Sequence, residues 1–112
     1  MEKVTIDNLE DYLKDHYLGR ANEQSMFMKL VEEIGEVAEI LNKRAGRKAS
    51  DGNDLTEDLA VELADVIHYT VAIAAINNID LTDIIIKKDE SASIRYNHDR
   101  NLQEYINSKK SL

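Results

Sequence analysis

The chain has 112 residues and a mass of 12.8 kDa, with 14 Lys and Arg against 22 Asp and Glu for a net charge of −8. That length fits a single domain, residues 1–112, and the acidic balance excludes a general nucleic-acid or membrane-surface binder, because it repels phosphate backbones and anionic headgroups. The absence of Cys removes disulfides, thiol nucleophiles and Cys-based zinc sites together. No apolar run approaches membrane-spanning length, and the acidic N-terminus does not resemble a signal peptide, so the expected setting is the cytoplasm. A small phosphorylated ligand stays compatible with the charge, since a divalent cation can stand between carboxylates and phosphate.

Proline is absent and only four glycines punctuate the chain. Strand-like alternation is missing, and Ile84, Ile85 and Ile86 sit inside a longer helical pattern, so the chain reads as all-α. A first helix is predicted from about Ile6 to Tyr17, with Leu9, Tyr12 and Leu13 at helical spacing and Gly19 as C-cap. The second, about Asn22 to Arg44, places Phe27, Leu30, Val31, Ile34, Val37, Ala38 and Leu41 on one face. A polar loop from Gly46 to Asn53 follows. Asp54 and Glu57 then form a capping-box pattern opening a third helix, which ends near Asn77 and Asn78. Asp80 caps a fourth helix through about Tyr96, and a short polar fifth covers about Asp99 to Ser108. Two long amphipathic helices joined by a short loop pack antiparallel, and two more complete a four-helix core with a short extra terminal helix. A chain this small gains further burial by oligomerising.

Most of the charges belong to solvated faces; four carboxylates do not. At about 100° per residue, Glu33 lies beside the stripe of Leu30, Ile34 and Leu41, with Glu36 one step further round and Lys29 between them. On the third helix, Leu59, Leu63, Val66 and Ile73 define the buried face, Glu62 falls inside its edge, and Asp65 and Tyr69 follow on the same flank. Glu33-x-x-Glu36 and Glu62-x-x-Asp65 share one spacing, and side chains three apart on a helix are neighbours. On antiparallel helices the two pairs face each other as a cage of four carboxylates. Such anions repel unless cations offset them, and Lys29 alone is too few. A hard divalent ion such as Mg²⁺, which accepts carboxylates, waters and phosphate oxygens together, answers that need. A single Glu pair would be an ordinary solvated helix face. The doubled spacing on consecutive helices makes the argument.

The segment Leu30-Val-Glu-Glu-Ile-Gly-Glu-Val-Ala-Glu39, followed by Glu62-Leu-Ala-Asp-Val-Ile-His-Tyr69, resembles the Glu-Glu-x-x-Glu … Glu-x-x-Asp signature of MazG-like all-α nucleoside triphosphate pyrophosphohydrolases. The likeness continues through Asp80, Lys88, Arg95 and Tyr96, at spacings similar to those of the dCTP pyrophosphatase branch, and covers roughly residues 25 to 96. It implies Mg²⁺-dependent hydrolysis of a nucleoside triphosphate, often a deoxynucleotide, to monophosphate and pyrophosphate, with Mn²⁺ as substitute metal. It implies that Glu33, Glu36, Glu62 and Asp65 hold the metal and that Tyr69, Lys88 and Arg95 contact nucleotide or phosphates. It further implies a homodimer or homotetramer with active sites near subunit interfaces. Where many relatives carry an Asn expected to help hold the nucleotide, this chain has Ala92.

Phosphoanhydride hydrolysis needs a positioned water, charge neutralisation and a stabilised leaving group. Glu33 or Glu36 is the expected group to orient or deprotonate that water, with Glu32 nearer solvent. Lys29 reads as either a salt-bridge partner of these acids or a phosphate ligand. Arg44, Arg47 and Lys48 read as cations near a helix C-terminus, His68 as a packed or surface residue, Asp58 as a first-turn helix charge, and Tyr12 and Phe27 as core. Two other functions remain in view. A di-iron carboxylate bundle wants Glu-x-x-His pairs, which the sequence lacks. A non-catalytic helical interaction module would use the acids merely for solubility.

Overall fold

The computed structural model describes residues 2–46 and 55–110, and every regular element among them is a helix. These are α1 (Ile6–His16), α2 (Glu23–Arg44), α3 (Thr56–Ile76), α4 (Leu81–Arg95) and α5 (Leu102–Lys110). Local side-chain chemistry sets most of the starts. Thr5 and Asn8 form a reciprocal capping box on α1, each donating its backbone N–H to the other's side chain at 3.0 and 3.1 Å. Asn22 caps α2 by accepting from the Ser25 N–H at 2.8 Å, and Asp80 caps α4 by accepting from the Asp83 N–H at 3.2 Å.

The ends follow backbone conformation. Asn78 and Asn97 adopt φ of 57° and 55° just beyond α3 and α4, the left-handed region that Asn tolerates better than most residues. Tyr17, rather than Gly19, is the C-cap of α1; Gly19 supplies the positive φ of 68° in the turn that follows. The helix α3 starts with Leu55 at its N-cap and no side-chain capping bond. Asp54, Arg47, Lys48 and most of the expected polar loop lie outside the described residues.

The chain divides into two compact units, Met1–Ile79 and Asp80–Leu112. Three helices, α1 to α3, make the first unit, and α4 and α5 make the second.

In the first unit α3 is the central element, with α1 and α2 both packed on it. Glu23 at the start of α2 accepts a hydrogen bond from the Asn77 side chain at the end of α3, while Glu33 reaches Glu62 and Asp65 in the first half of α3. The two long helices thus run antiparallel, as their pattern predicts. Tyr17 Oη meets His68 Nε2 at 2.7 Å and ties the end of α1 to α3. The core is built from Leu13, Met26, Ile40, Val71, Ala72, Ala74 and Ala75. Alanines at three of these positions let helices approach closely.

The buried face of α2 differs from the expected one. Met26 and Ile40 are buried and Leu30, Glu33 and Val37 half-buried, while Phe27, Val31, Ile34 and Leu41 stay between 44% and 55% exposed. Of the face expected inside, Leu30 and Val37 are thus partly buried while Phe27, Val31, Ile34, Ala38 and Leu41 are exposed, so the buried stripe is turned by about one residue toward Met26, Glu33 and Ile40. On α3, Leu63 is likewise 46% exposed, and Tyr12 on α1 is exposed rather than core. A further correction concerns α3, which at 21 residues, with an 18-residue stretch of mean hydropathy 1.7, is long and apolar enough to cross a bilayer. Here α1 and α2 both pack on it, and Val71, Ala72, Ala74 and Ala75 in its second half are buried. The carboxylates of Glu62 and Asp65 near its middle would each cost about 2.5–3.5 kcal/mol in hydrocarbon.

In the second unit Asp89 of α4 accepts the Leu102 N–H at 2.6 Å, so a carboxylate meets the N-terminus of α5 where unpaired N–H groups favour negative charge. Asn101 and Glu104 add a capping box at the same end, with bonds of 2.9 and 3.1 Å.

The Asn22 cap opens the helix that carries Glu33. Asn22→Ala is expected to cost about 1 kcal/mol, seen as a drop of about 4 °C in thermal midpoint. Asn22→Ser, which keeps an acceptor, should retain most of it.

Candidate metal centre

Three acids meet at the seam of the two antiparallel helices. Glu33 comes from α2 and Glu62 and Asp65 from α3, and one carboxylate oxygen from each lies within 4.8 Å of the other two. Helical geometry explains the convergence. Glu33 occupies the inner stripe of α2 between Leu30 and Val37, and the three-residue step from Glu62 to Asp65 sets both on the flank facing it. All three residues are half-buried. Glu36, the fourth acid expected here, is exposed and outside this group, though near enough to act on the Glu62 charge.

The electrostatics are those of anions held together without enough cations. Glu62 is pushed up from 4.5 to about 7, first by a hydrogen bond with Glu33, then by desolvation and by the charges of Glu33, Asp65 and Glu36. A bond between two carboxyl groups exists only while one of them carries a proton. Once both are ionised they repel, and Glu62 Oε2, shielded from solvent, has no hydrogen-bond partner among the described residues. A buried acceptor without a donor, among hard oxygen ligands of like charge, has the chemistry of a divalent-cation site. The donor set is all carboxylate oxygen, with no histidine or thiolate, which suits a hard divalent cation.

Around this centre, Lys29 pairs with Glu32 at 3.2 Å across half-exposed side chains. That hydrogen bond is the main cause of its raised pKa, with smaller contributions from the charge of Glu32, Tyr69 and Glu33. Tyr69 is half-buried one turn beyond Asp65, its ring edge-on to His68 at 4.9 Å. Burial, and then the neighbouring Tyr69 and Tyr12, hold the Tyr17 hydroxyl above its ordinary value. A continuous row of rings runs Tyr12, His16, Tyr17, His68, Tyr69, with centroids 4.7–5.9 Å apart. Sequence reasoning missed the Tyr17–His68 bond. The two residues stand 51 positions apart, and nothing in either segment announces the other. Asp58 sits in the first turn of α3, as expected. Lys88 and Arg95 belong to the second unit, on α4.

The metal-free protein should lose stability as pH rises. A carboxyl with its folded pKa raised binds its proton more tightly in the native state, so the native state is favoured below about 4.5 and this advantage is gone above about 7. Thermal unfolding in chelator is expected to show a falling midpoint between about pH 5 and pH 8. Glu62→Gln, which cannot ionise, should flatten that slope.

No curated protein and no solved structure matched the chain. A family profile did: the MazG nucleotide pyrophosphohydrolase domain matches residues 21–98. The matched span contains α2, α3 and α4 entire, all three clustered acids and Glu36, and it runs across the division between the two units. The helical architecture and the acidic seam therefore coincide with a profile that covers most of the sequence, and the chain belongs to the MazG nucleotide pyrophosphohydrolase family.

Proposed function

We propose that the protein hydrolyses (deoxy)nucleoside triphosphates to the monophosphate and pyrophosphate in a Mg²⁺-dependent reaction, with Mn²⁺ able to substitute, clearing or balancing nucleotide pools in the cytoplasm. The observation that carries this reading is the convergence of Glu33, Glu62 and Asp65 within the span matched to the family. Residues 1–112 act as one catalytic domain in this reading, and the substrate is a free nucleotide rather than a nucleic-acid polymer or a membrane component.

Glu33, Glu62 and Asp65, joined by Glu36, would hold the metal. When bound it supplies neutralising charge to the phosphates and a lowered pKa for water. Glu33 or Glu36 orients or deprotonates the water that attacks the α-phosphorus. Expulsion of pyrophosphate builds negative charge on the leaving group, and Lys88, Arg95 and Lys29 are the cations assigned to offset it. Tyr69 walls the nucleotide beside the acids. The di-iron alternative is disfavoured because the clustered group among the described residues contains no histidine. An interaction module would leave the desolvated, mutually repelling acids without a purpose.

The test is pyrophosphate release from a panel of dNTPs and NTPs, with Mg²⁺ and with chelator. Metal-dependent release is expected, and Glu36→Gln or Asp65→Asn should lower it by at least about a hundredfold while circular dichroism stays native. Turnover unchanged in both variants would overturn the assignment.

The same reading includes a homodimer or homotetramer. Its support is the outer stripe of α2, where Phe27, Val31, Ile34 and Leu41 recur at helical spacing and stay half-exposed. A contiguous apolar stripe on a helix of 22 residues is what one copy would present to another. Ile34→Asp is expected to shift the species seen by sedimentation velocity toward the monomer.

A further inference from the structure

Helix α1 and Tyr17 precede the span matched to the family, residues 21–98, so the match assigns them no role. Along α1 one stripe faces inward. Ile6, Leu9 and Glu10 are half-buried, Leu13 is fully buried, and Tyr17 at the C-cap is half-buried, which is the spacing of a single helical face. That face packs on α3. Burial of Leu13 fixes where α1 lies, and the 2.7 Å hydrogen bond between Tyr17 Oη and His68 Nε2 fixes how its end meets α3. Either the hydroxyl donates to an unprotonated Nε2 or it accepts from Nε2–H. Both forms need the hydroxyl.

His68 carries this contact toward the acids. It follows Asp65 by three residues, so the two are neighbours on one flank of α3. Its ring stands edge-on to Tyr17 at 5.9 Å and 78°, and edge-on to Tyr69 at 4.9 Å and 75°. Tyr69 continues the series to α2. Its hydroxyl is near enough to raise the pKa of Lys29, after the larger effects of the Glu32 hydrogen bond and charge, and that of Tyr17, after burial. A half-buried tyrosine on a helix flank has two side-chain torsions to settle. The edge of the His68 ring restricts them, and the Tyr17 bond restricts His68. All of these residues belong to the first unit.

We propose that Tyr17 is a positioning residue: its hydroxyl holds the His68 ring, and that ring holds Tyr69 in the orientation in which it walls the nucleotide. The inference rests on the pyrophosphohydrolase reading and deepens it, because it brings a residue from outside the matched span into substrate binding. Tyr17 touches neither substrate nor metal in this role. A side chain ordered in advance lowers the ordering cost of binding. A wall contact made equally to substrate and transition state acts on KM and leaves kcat alone.

The experiment measures kcat and KM of the full chain in Mg²⁺, with the triphosphate of the panel that the wild type turns over fastest, and Mn²⁺ affinity by titration without nucleotide. Tyr17→Phe keeps the ring and loses the hydroxyl. It is expected to raise KM about fivefold, the effect of one lost hydrogen bond, with kcat and Mn²⁺ affinity held within about twofold. His68→Phe keeps an aromatic edge against Tyr69 but cannot bond Tyr17, and should give the same rise. In a Tyr69→Leu background, adding Tyr17→Phe should change KM by less than about twofold, whereas a general loosening of the fold would act there as it does in the wild type. An unchanged KM in either phenylalanine variant, an undiminished effect in the Tyr69→Leu background, or a joint loss of kcat and Mn²⁺ affinity would overturn the positioning role. If wild-type turnover is normal in that case, the pyrophosphohydrolase reading survives and only the inference fails. A wild type that turns over none of the panel removes both.

Discussion

Mutual repulsion among carboxylates at the α2–α3 seam is the constraint around which the first unit is arranged. Glu33, Glu62 and Asp65 bring oxygens within 4.8 Å of one another, in a place where one Glu62 oxygen is shielded from water. Apolar packing has to hold them there. The alanines of α3 and the side chains of Met26, Ile40 and Leu13 supply the burial, and the antiparallel run of the helices sets the register. The Glu23–Asn77 hydrogen bond at the opposite end of the same helix pair is consistent with that register. A site assembled on two rigid helices is held more closely than one assembled on loops, which suits chemistry that depends on the placement of charge.

How much of this could be read from the residues depends on what each signal is local to. The helix starts at Asn22 and Asp80 were legible because capping is a matter between residues three apart. The Glu62-x-x-Asp65 pairing was legible for the same reason. The rotation of α2 was not. Its apolar residues form two stripes, one through 26, 30, 37 and 40 and another through 27, 31, 34 and 41, and amphipathicity cannot rank two such stripes. The inner one also contains Glu33, so the residue of greatest interest made the buried face look polar. A charged residue interrupting an otherwise apolar stripe was the available clue. The ring row linking α1 to α3 and the grouping of α4 with α5 are tertiary facts that no local pattern encodes.

The two units divide the chemistry by charge. The first concentrates carboxylates and the second carries Lys87, Lys88 and Arg95 on one helical face, although the chain as a whole is acidic. Net charge therefore says little about either surface. It describes solubility and long-range steering, whereas the local fields decide which ions and which phosphates are attracted.

The antiparallel register of α2 and α3 has a consequence for how the chain can change over evolution. The acids are aligned by packing along the helices, from Glu23 opposite Asn77 to Glu33 opposite Glu62, and the segment joining the helices supplies none of the three clustered acids. Lengthening that connection costs only loop entropy, about 0.6 kcal/mol for each doubling. Inserting one residue inside α3 between Asn77 and Asp65 would instead turn the acids by about 100° away from Glu33. Insertions and deletions should therefore accumulate in the connection, while the lengths of the two helical segments between these anchor points stay fixed.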